Sequence, residues 1–291
     1  MPELPEVETV RRGLEPVLVG NAFARVEQRR PDLRFPLPMR FGERLSGRTV
    51  KALDRRAKYL LARLDDGEVL VMHLGMTGRF RIDRANGTTG EASQARKKTP
   101  KHEHVVFHLG DGTAVRYSDT RRFGLMDLIR SESLEKHALF KGLGVEPLSE
   151  AFTPEWFAAR LKGKANSIKA ALIDQKLIAG LGNIYACEAL YRAGISPIKL
   201  AGSLATKSGR PTKKTEALVA SIKAVLADAI KAGGSTLRDY ARADGRLGRF
   251  QHRFKVYRRE GKPCPRKGCG GTVRRIVQGG RSTFYCPTCQ R

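Results

Sequence analysis

Apolar side chains at Leu4, Val7, Val10 and Leu14 recur every three or four positions, which predicts a short amphipathic helix over about residues 3–15, with Pro5 tolerated in its first turn. Pro16 and Gly20 are expected to end it. From about residue 22 to 130 the apolar runs shorten to strand length: KYLLARL at 58–64, EVLVMHL at 68–74, HVVFHL at 104–109 and TAVRYS at 113–118, punctuated by Asp-Gly pairs at 66–67 and 111–112. Period-2 alternation is imperfect, but the turn chemistry predicts an antiparallel sandwich or flattened barrel. The polar, finally basic run at 84–101 is expected to be a loop.

Gly142, Gly144, Pro147 and Pro154 mark an expected hinge, after which helical patterns dominate. Thr153 with Pro154, Ser167, and Thr212 read as helix starts, and Asn183–Ala193 as a further helix; the last and longest runs from about Thr212 to Ala232. The chain is therefore expected to be an α+β multidomain protein: a β-sandwich over 1–135 led by the first helix, a hinge over 136–150, a helical domain over 151–250 and a terminal module over 251–291.

Four of the five cysteines, Cys264, Cys269, Cys286 and Cys289, are spaced C-x4-C-x16-C-x2-C. Two thiolate pairs joined by a hairpin are the donor set of a structural zinc ion, one per chain, whose binding would fold a module too small to gain stability from its own core. Two disulfides are the alternative, disfavoured because no export signal precedes the chain. Four sulfurs leave no open position, so such a metal would not be catalytic. Cys187, alone in a helical pattern, is expected to be a small buried hydrophobe.

Charge narrows the class of partner. With 55 Lys and Arg against 29 Asp and Glu in 291 residues, the formal net charge is +26, and residues 231–291 carry 16 basic against 3 acidic side chains. An excess of this size attracts a polyanion, and nucleic acid is the default. No run approaches the length of a membrane span, so no membrane association is expected. At the N-terminus, removal of Met1 would leave Pro2 as a free secondary amine beside the carboxylate of Glu3, a nucleophile and a proton-transfer group in adjacent positions.

The motifs PELPEVETVRRGLEP at 2–16, RRAKYL at 55–60, HLGMTG at 73–78, YSDTRRFG at 117–124, DQKLIAGLGNIYACEAL at 174–190 and GRSTFYCPTCQ at 280–290 run in order along the whole chain. In these the chain resembles the bacterial formamidopyrimidine-DNA glycosylases. The resemblance implies an N-terminal β-sandwich, a helix-two-turn-helix domain and a C-terminal zinc-finger hairpin. The implied activity is excision of oxidised purines from double-stranded DNA, followed by cleavage at the abasic site. It also implies roles for individual residues: Pro2 as nucleophile, Glu3 as its acidic partner, and Lys58 beside the DNA near the lesion. Asn183 and Arg281 would grip phosphates, Met76, Arg121 and Phe123 would fill the space left by the flipped nucleotide, and Lys169 would serve DNA binding. A lesion-reading loop is implied over about 233–250. The chain is read as a cytoplasmic, nucleoid-associated bacterial protein and as a monomer.

Two features depart from the family pattern. Cys264 and Cys269 are separated by four residues where two are usual, and 84–101 is longer than in compact members. Two other readings stay open at this point. An endonuclease VIII-type enzyme acting on oxidised pyrimidines would be expected to begin PEGPE, and a noncatalytic DNA-binding relative would be expected to lack Pro2 or Glu3. No role follows from the sequence for His102 or His104.

Overall fold

The computed structural model describes residues 1–84, 101–235 and 248–291, and the chain divides into two compact units. The expected loop at 84–101 and the expected lesion-reading loop at 233–250 lie largely outside the described residues.

The first unit spans Met1–Lys141, with residues 233–235 and 248 attached. Helix α1 (Leu4–Leu18) runs one turn further than the sequence predicts, with Pro16 inside it. A proline there removes one helical hydrogen bond. Burial of Val17 and Leu18, 7% and 3% exposed, offsets the loss by packing the last turn into the core. Helix α1 ends where Val19 N–H closes on Glu15 O, followed by Gly20 at φ +83°.

Strands β1 (Phe23–Gln28) and β2 (Val50–Arg56) flank a one-turn helix α2 (Phe41–Leu45), and six more strands follow: β3 (Tyr59–Leu64), β4 (Glu68–His73), β5 (Arg79–Asp83), β6 (Glu103–Leu109), β7 (Ala114–Ser118) and β8 (Leu125–Arg130). They form two antiparallel four-stranded sheets in the orders β1-β6-β7-β5 and β2-β3-β4-β8. Leu60, Leu70, Met72 and Leu128 from one sheet share a core with Phe107, Val115 and Tyr117 from the other, and Val7, Val10 and Leu14 of α1 join them. This is the sandwich that the turn chemistry predicts.

The imperfect alternation has a cause. Leu61, Val71 and Ile129 face away from that core yet are only 4%, 0% and 5% exposed. That outer face is therefore also buried, and at Tyr59 the cover is the segment after β8, where Phe140 packs on the Tyr59 ring at 5.1 Å between ring centroids.

The second unit comprises Gly142–Ala232 and Arg249–Arg291. Its helices are α3 (Pro154–Leu161), α4 (Ile168–Ile173), α5 (Asn183–Ala193) and α6 (Lys213–Lys231), followed by a hairpin of β9 (Arg274–Gln278) and β10 (Arg281–Tyr285). The helix starts are those the sequence marks. Thr153 Oγ1 accepts from Trp156 N–H at 3.1 Å, Ser167 Oγ from Ala170 N–H at 3.3 Å, and Thr212 Oγ1 from Thr215 N–H at 3.3 Å. The segment expected as a hinge is anchored at its centre: Gly144 N–H donates to Gln175 O, and Val145 N–H donates to Leu177 O.

The cysteine module packs on α5 as part of this unit. Cys187 and Tyr191 of α5 share a small core with Val256, Val273 and Phe284, so Cys187 is the buried hydrophobe expected. Glu188 completes the join: its carboxylate accepts from the backbone N–H groups of Lys255, Val256 and Tyr257 at 2.9, 3.0 and 2.8 Å. Replacing Glu188 by Ala leaves three N–H groups unpaired at a buried site, and unfolding of this unit in denaturant should be easier by roughly 3 kcal/mol. Glu188→Gln keeps acceptor oxygen and should lose less than half as much.

Candidate active site and nucleic-acid interface

Two groups of side chains gather in the first unit. At the start of α1, Pro2 is buried and Glu3 is 4% exposed, while Met1 remains half exposed. The neighbouring Glu6 stabilises this start, its carboxylate accepting from Glu3 N–H at 2.9 Å and from Ser235 N–H at 2.7 Å. Proline at the second helical position and the N-terminal end of the helix dipole both follow from the LPE sequence.

Lys58, 7% exposed, lies in the two-residue turn between β2 and β3, where Ala57 takes φ 53°. That turn is tied to α1. Arg55 donates to Ala57 O at 3.0 Å and to Glu8 Oε2 at 3.1 Å, and Glu8 also receives Arg11 and Arg12. Burial pushes the Glu8 carboxyl up, but the hydrogen bonds from Arg11 and Arg12 and the charges of Arg11 and Arg55 outweigh it and hold the group below its ordinary value.

His73 belongs with Lys58, and sequence reasoning assigned it no role. It pairs with Tyr59 across β3 and β4, the rings 4.9 Å apart, and its Nδ1 accepts from Gly75 N–H at 3.0 Å. The remaining hydrogen must therefore sit on Nε2 of a neutral ring. Burial pushes the His73 pKa down to about 4, helped by the positive charges of Lys58 and Arg34. Its only signal in the sequence was membership of the HLGMTG motif.

This shift has a measurable consequence. Above pH 6.5 the ring is neutral both folded and unfolded, so it contributes nothing to the pH dependence. As the pH falls from 6.5 toward 4, the unfolded chain takes up a proton that the folded ring refuses, and stability drops by up to about 3 kcal/mol. His73→Gln should flatten the stability profile between pH 6.5 and 5. Denaturation midpoints measured at those two values check it.

The second group occupies two adjacent loops. Met76 lies between β4 and β5, partly exposed, and Arg121 and Phe123 lie between β7 and β8, both exposed. The Arg121 guanidinium stacks over the Phe123 ring at 4.6 Å from its centroid. Gly75, at φ +59°, lets the two loops touch backbone to backbone: a Cβ there would lie 2.3 Å from the Phe123 carbonyl carbon. The loops that carry the three residues thus lie side by side in the first unit.

In the second unit the N-terminal ends of α4 and α5 meet the hairpin. Gly182 is the N-cap of α5, so Asn183 is the first helical residue and is not the cap. Asn183 Nδ2 donates to Ser282 O at 2.9 Å, which sets Asn183 beside the start of β10, where Arg281 is exposed. Among the described residues, Asn183 Oδ1 is one of four buried side-chain atoms that make no hydrogen bond. Lys169 has no exposed surface, and its Nζ donates to Thr283 Oγ1 at 2.6 Å, so it braces the hairpin from within.

The four terminal cysteines converge, all their Sγ atoms lying within 4.8 Å of one another, with Cys264–Cys289 at 3.7 Å and Cys269–Cys286 at 3.6 Å. A tetrahedron of sulfurs about 2.3 Å from a central zinc has edges of about 3.8 Å. The longer first knuckle closes through Cys269 N–H donating to Arg266 O, so the two extra residues do not separate the thiols. The cluster can hold a metal ion. Among the described residues, no helix is long and apolar enough to cross a membrane.

Comparison with known proteins follows the same divisions. Residues 1–126 match the model of the formamidopyrimidine-DNA glycosylase N-terminal domain, 143–241 that of the formamidopyrimidine-DNA glycosylase H2TH domain, and 261–291 that of the zinc finger found in FPG and IleRS. The formamidopyrimidine-DNA glycosylase of Beijerinckia indica is 60% identical and that of a Chelativorans species 58%, each aligned over the whole of both chains. Among solved structures, MutM (Fpg) of Thermus thermophilus superposes with a TM-score of 0.82 at 42% identity, over 99% of this chain and 98% of that one. Lactococcus lactis Fpg, bound to DNA containing an abasic site, superposes with a TM-score of 0.84 at 34% identity, both chains fully covered. The same protein bound to DNA containing an oxidised pyrimidine gives 0.84 at 35% over the full length of both chains. With identity this high sustained from the buried Pro2 to the last cysteine, the chain belongs to the bacterial formamidopyrimidine-DNA glycosylase family.

Proposed function

We infer that the protein is a bifunctional DNA glycosylase and abasic-site lyase that removes oxidised purines, 8-oxoguanine and formamidopyrimidines, from double-stranded DNA. The observation that carries this reading is a buried Pro2 followed by a buried Glu3 at a helix N-terminus, in a chain that matches glycosylases over its whole length. After removal of Met1, the lone pair on the Pro2 nitrogen attacks C1′ of the damaged nucleotide. The glycosidic bond breaks, and its electron pair leaves with the base, which takes up a proton.

The Pro2 nitrogen then gives up its proton and the sugar opens: the C1′–O4′ bond breaks, its electron pair leaves with O4′, and O4′ takes a proton from Glu3. Because proline nitrogen is secondary, the open-chain adduct at C1′ is an obligate iminium cation, and it draws electrons from the C2′–H bond. Loss of that proton expels the 3′ phosphate, and a second elimination expels the 5′ phosphate. Glu3 moves protons in these steps. The attacking amine has to be neutral, a state favoured by the nearby helix dipole and by the Lys58 charge.

The remaining residues hold the substrate. Reaching C1′ requires rotating the nucleotide out of the stack, at a cost of a few kcal/mol. Met76 and Phe123 replace the lost stacking, and Arg121 offers donors to the orphaned cytosine. Lys58 and the Nε2–H of His73 bind backbone phosphate on the sandwich, and Asn183 and Arg281 do so from the helical unit and its hairpin. Lys169 acts through the hairpin. One zinc ion, held by Cys264, Cys269, Cys286 and Cys289, would fix that hairpin as a structural cross-link. All these groups come from one chain, which fits a monomer, and four thiols poised for metal fit the reducing bacterial cytoplasm.

A broader substrate range is favoured by one observation: Lactococcus lactis Fpg forms a complex with DNA containing an oxidised pyrimidine. Excision rates on duplexes carrying 8-oxoguanine opposite cytosine and an oxidised pyrimidine opposite its partner separate the two. The proposal expects the purine lesion to be preferred by at least about tenfold in kcat/KM. Preference for the pyrimidine would replace it with an endonuclease VIII-type activity.

A further inference from the structure

Behind the loops that carry Met76, Arg121 and Phe123 lies a buried carboxylate that the chemistry above does not use. Asp119 has no exposed surface. Its Oδ1 accepts from Thr77 Oγ1, and its Oδ2 accepts from Gly124 N–H at 2.8 Å and from Tyr117 Oη at 3.4 Å. Thr77 Oγ1 in turn accepts from Arg121 N–H at 3.0 Å. One threonine hydroxyl therefore joins the residue after Met76 to the backbone of Arg121, while the aspartate closes the same link onto the residue after Phe123.

Asp119 is itself held from behind. His104, 3% exposed, bonds through Nε2 to Asp119 O at 2.8 Å, and because a carbonyl only accepts, Nε2 carries the hydrogen. Asp119 N–H donates to His102 O at 3.0 Å. The two histidines that had no role in the sequence thus fix the base of the β7–β8 loop. Position 124 has to be glycine for this packing: a Cβ there would lie 1.9 Å from Tyr117 Oη and 3.0 Å from Asp119 Oδ2.

A carboxylate buried among neutral donors is expensive, and an apolar filler would stabilise a sandwich end at least as well. The reason to retain it is positional. We infer that Asp119 and Thr77 form a latch that makes two separate loops one rigid wedge, setting the depth of Met76 and Phe123 and the aim of Arg121. Asp119, Thr77, Tyr117 and His104 are positioning residues in this account and touch no reacting atom. The inference rests on the void-filling role proposed above for Met76, Arg121 and Phe123.

The test uses the full-length zinc-loaded protein with Thr77→Val, which keeps the side-chain volume and deletes both hydrogen bonds, and Thr77→Ser, which keeps both. Three readouts are compared: kcat/KM for 8-oxoguanine opposite cytosine and opposite adenine, the fluorescence of 2-aminopurine beside the orphaned position, and strand cleavage at an abasic site in single-stranded DNA, where there is no stack to fill. Thr77→Val should lose roughly tenfold or more on the duplex lesion. It should also lose discrimination between cytosine and adenine, give a smaller 2-aminopurine change, and cleave the single strand at the wild-type rate. Thr77→Ser should restore all of these.

Wild-type duplex excision by Thr77→Val while Met76→Ala and Arg121→Ala are impaired would overturn the latch and leave the void-filling reading intact. Unimpaired Met76→Ala and Arg121→Ala would remove that reading, and the latch with it. Equal losses on duplex and single strand would mark Thr77 as merely structural and would also overturn the latch.

Discussion

Retention of Met1, or acetylation of the Pro2 nitrogen, is expected to slow release of 8-oxoguanine from duplex DNA by roughly a thousandfold or more. In either form the nitrogen becomes an amide, whose lone pair is delocalised into the carbonyl and cannot attack C1′. Pro2 and Glu3 are already buried at the start of α1, so the blocked and free forms should fold alike and bind the same duplex with similar affinity. The loss should therefore fall on kcat. Pro2→Gly should behave differently, because a primary amine still condenses with an open-chain sugar aldehyde. Cleavage at a preformed abasic site should partly survive while base release falls steeply. Single-turnover rates on the two duplexes, with binding measured in parallel, check both outcomes.

Loss of the metal should be nearly as damaging, by a route that leaves the amine intact. A structural zinc ion of this kind is worth about 10 to 16 kcal/mol at neutral pH. Apart from the metal, hairpin β9–β10 is held by the small cluster it shares with α5 and by the hydrogen bonds from Lys169 and Asn183, which together are worth much less than the ion. Cys286 is the fully buried member of the four, so Cys286→Ala should release the ion, free the hairpin and withdraw Arg281 from the phosphate it is proposed to bind. Duplex affinity should fall by roughly a hundredfold or more. The sandwich should stay folded, because its core contains none of these residues. Metal analysis should give one zinc per chain in the wild type, bound by four sulfurs despite the longer first knuckle. A stoichiometry well below one, or a site with fewer than four sulfurs, would contradict the assignment.

What the sequence made legible follows from where each strand sits in its sheet. The four strands read directly, β3, β4, β6 and β7, are the interior ones, and the four it did not show, β1, β2, β5 and β8, are the edges. Interior strands are hydrogen-bonded to a neighbour along both edges and here carry apolar runs such as YLLARL and EVLVMH. Edge strands such as VKALDRR and RFRID carry charges that discourage pairing with another chain, and these charges mask the pattern. Pro16 misled for a related reason: local propensity ends a helix there, while burial of Val17 and Leu18 prolongs it.

The site was legible as far as motifs carry chemistry in neighbouring residues, as with Pro2 and Glu3 or the cysteine pairs. Features assembled across the fold were not. His73 is held neutral by its burial and by Lys58 and Arg34, which are distant in sequence. Lys169 has the composition of a surface cation and turns out to be buried against Thr283. Asp119 matters through partners at Thr77, His104 and Gly124, which the pairings of β4 with β8 and of β5 and β6 with β7 bring together.

The central claim is that the secondary amine of Pro2 becomes covalently attached to C1′ of the damaged nucleotide. Borohydride reduction during turnover on a duplex containing 8-oxoguanine opposite cytosine, followed by peptide mass spectrometry, tests it most directly. The predicted result is a single cross-linked peptide that begins at Pro2, with the deoxyribose mass on that nitrogen. A cross-link mapped to Lys58 or any other lysine, or no trapped species while the base is still released, would contradict it.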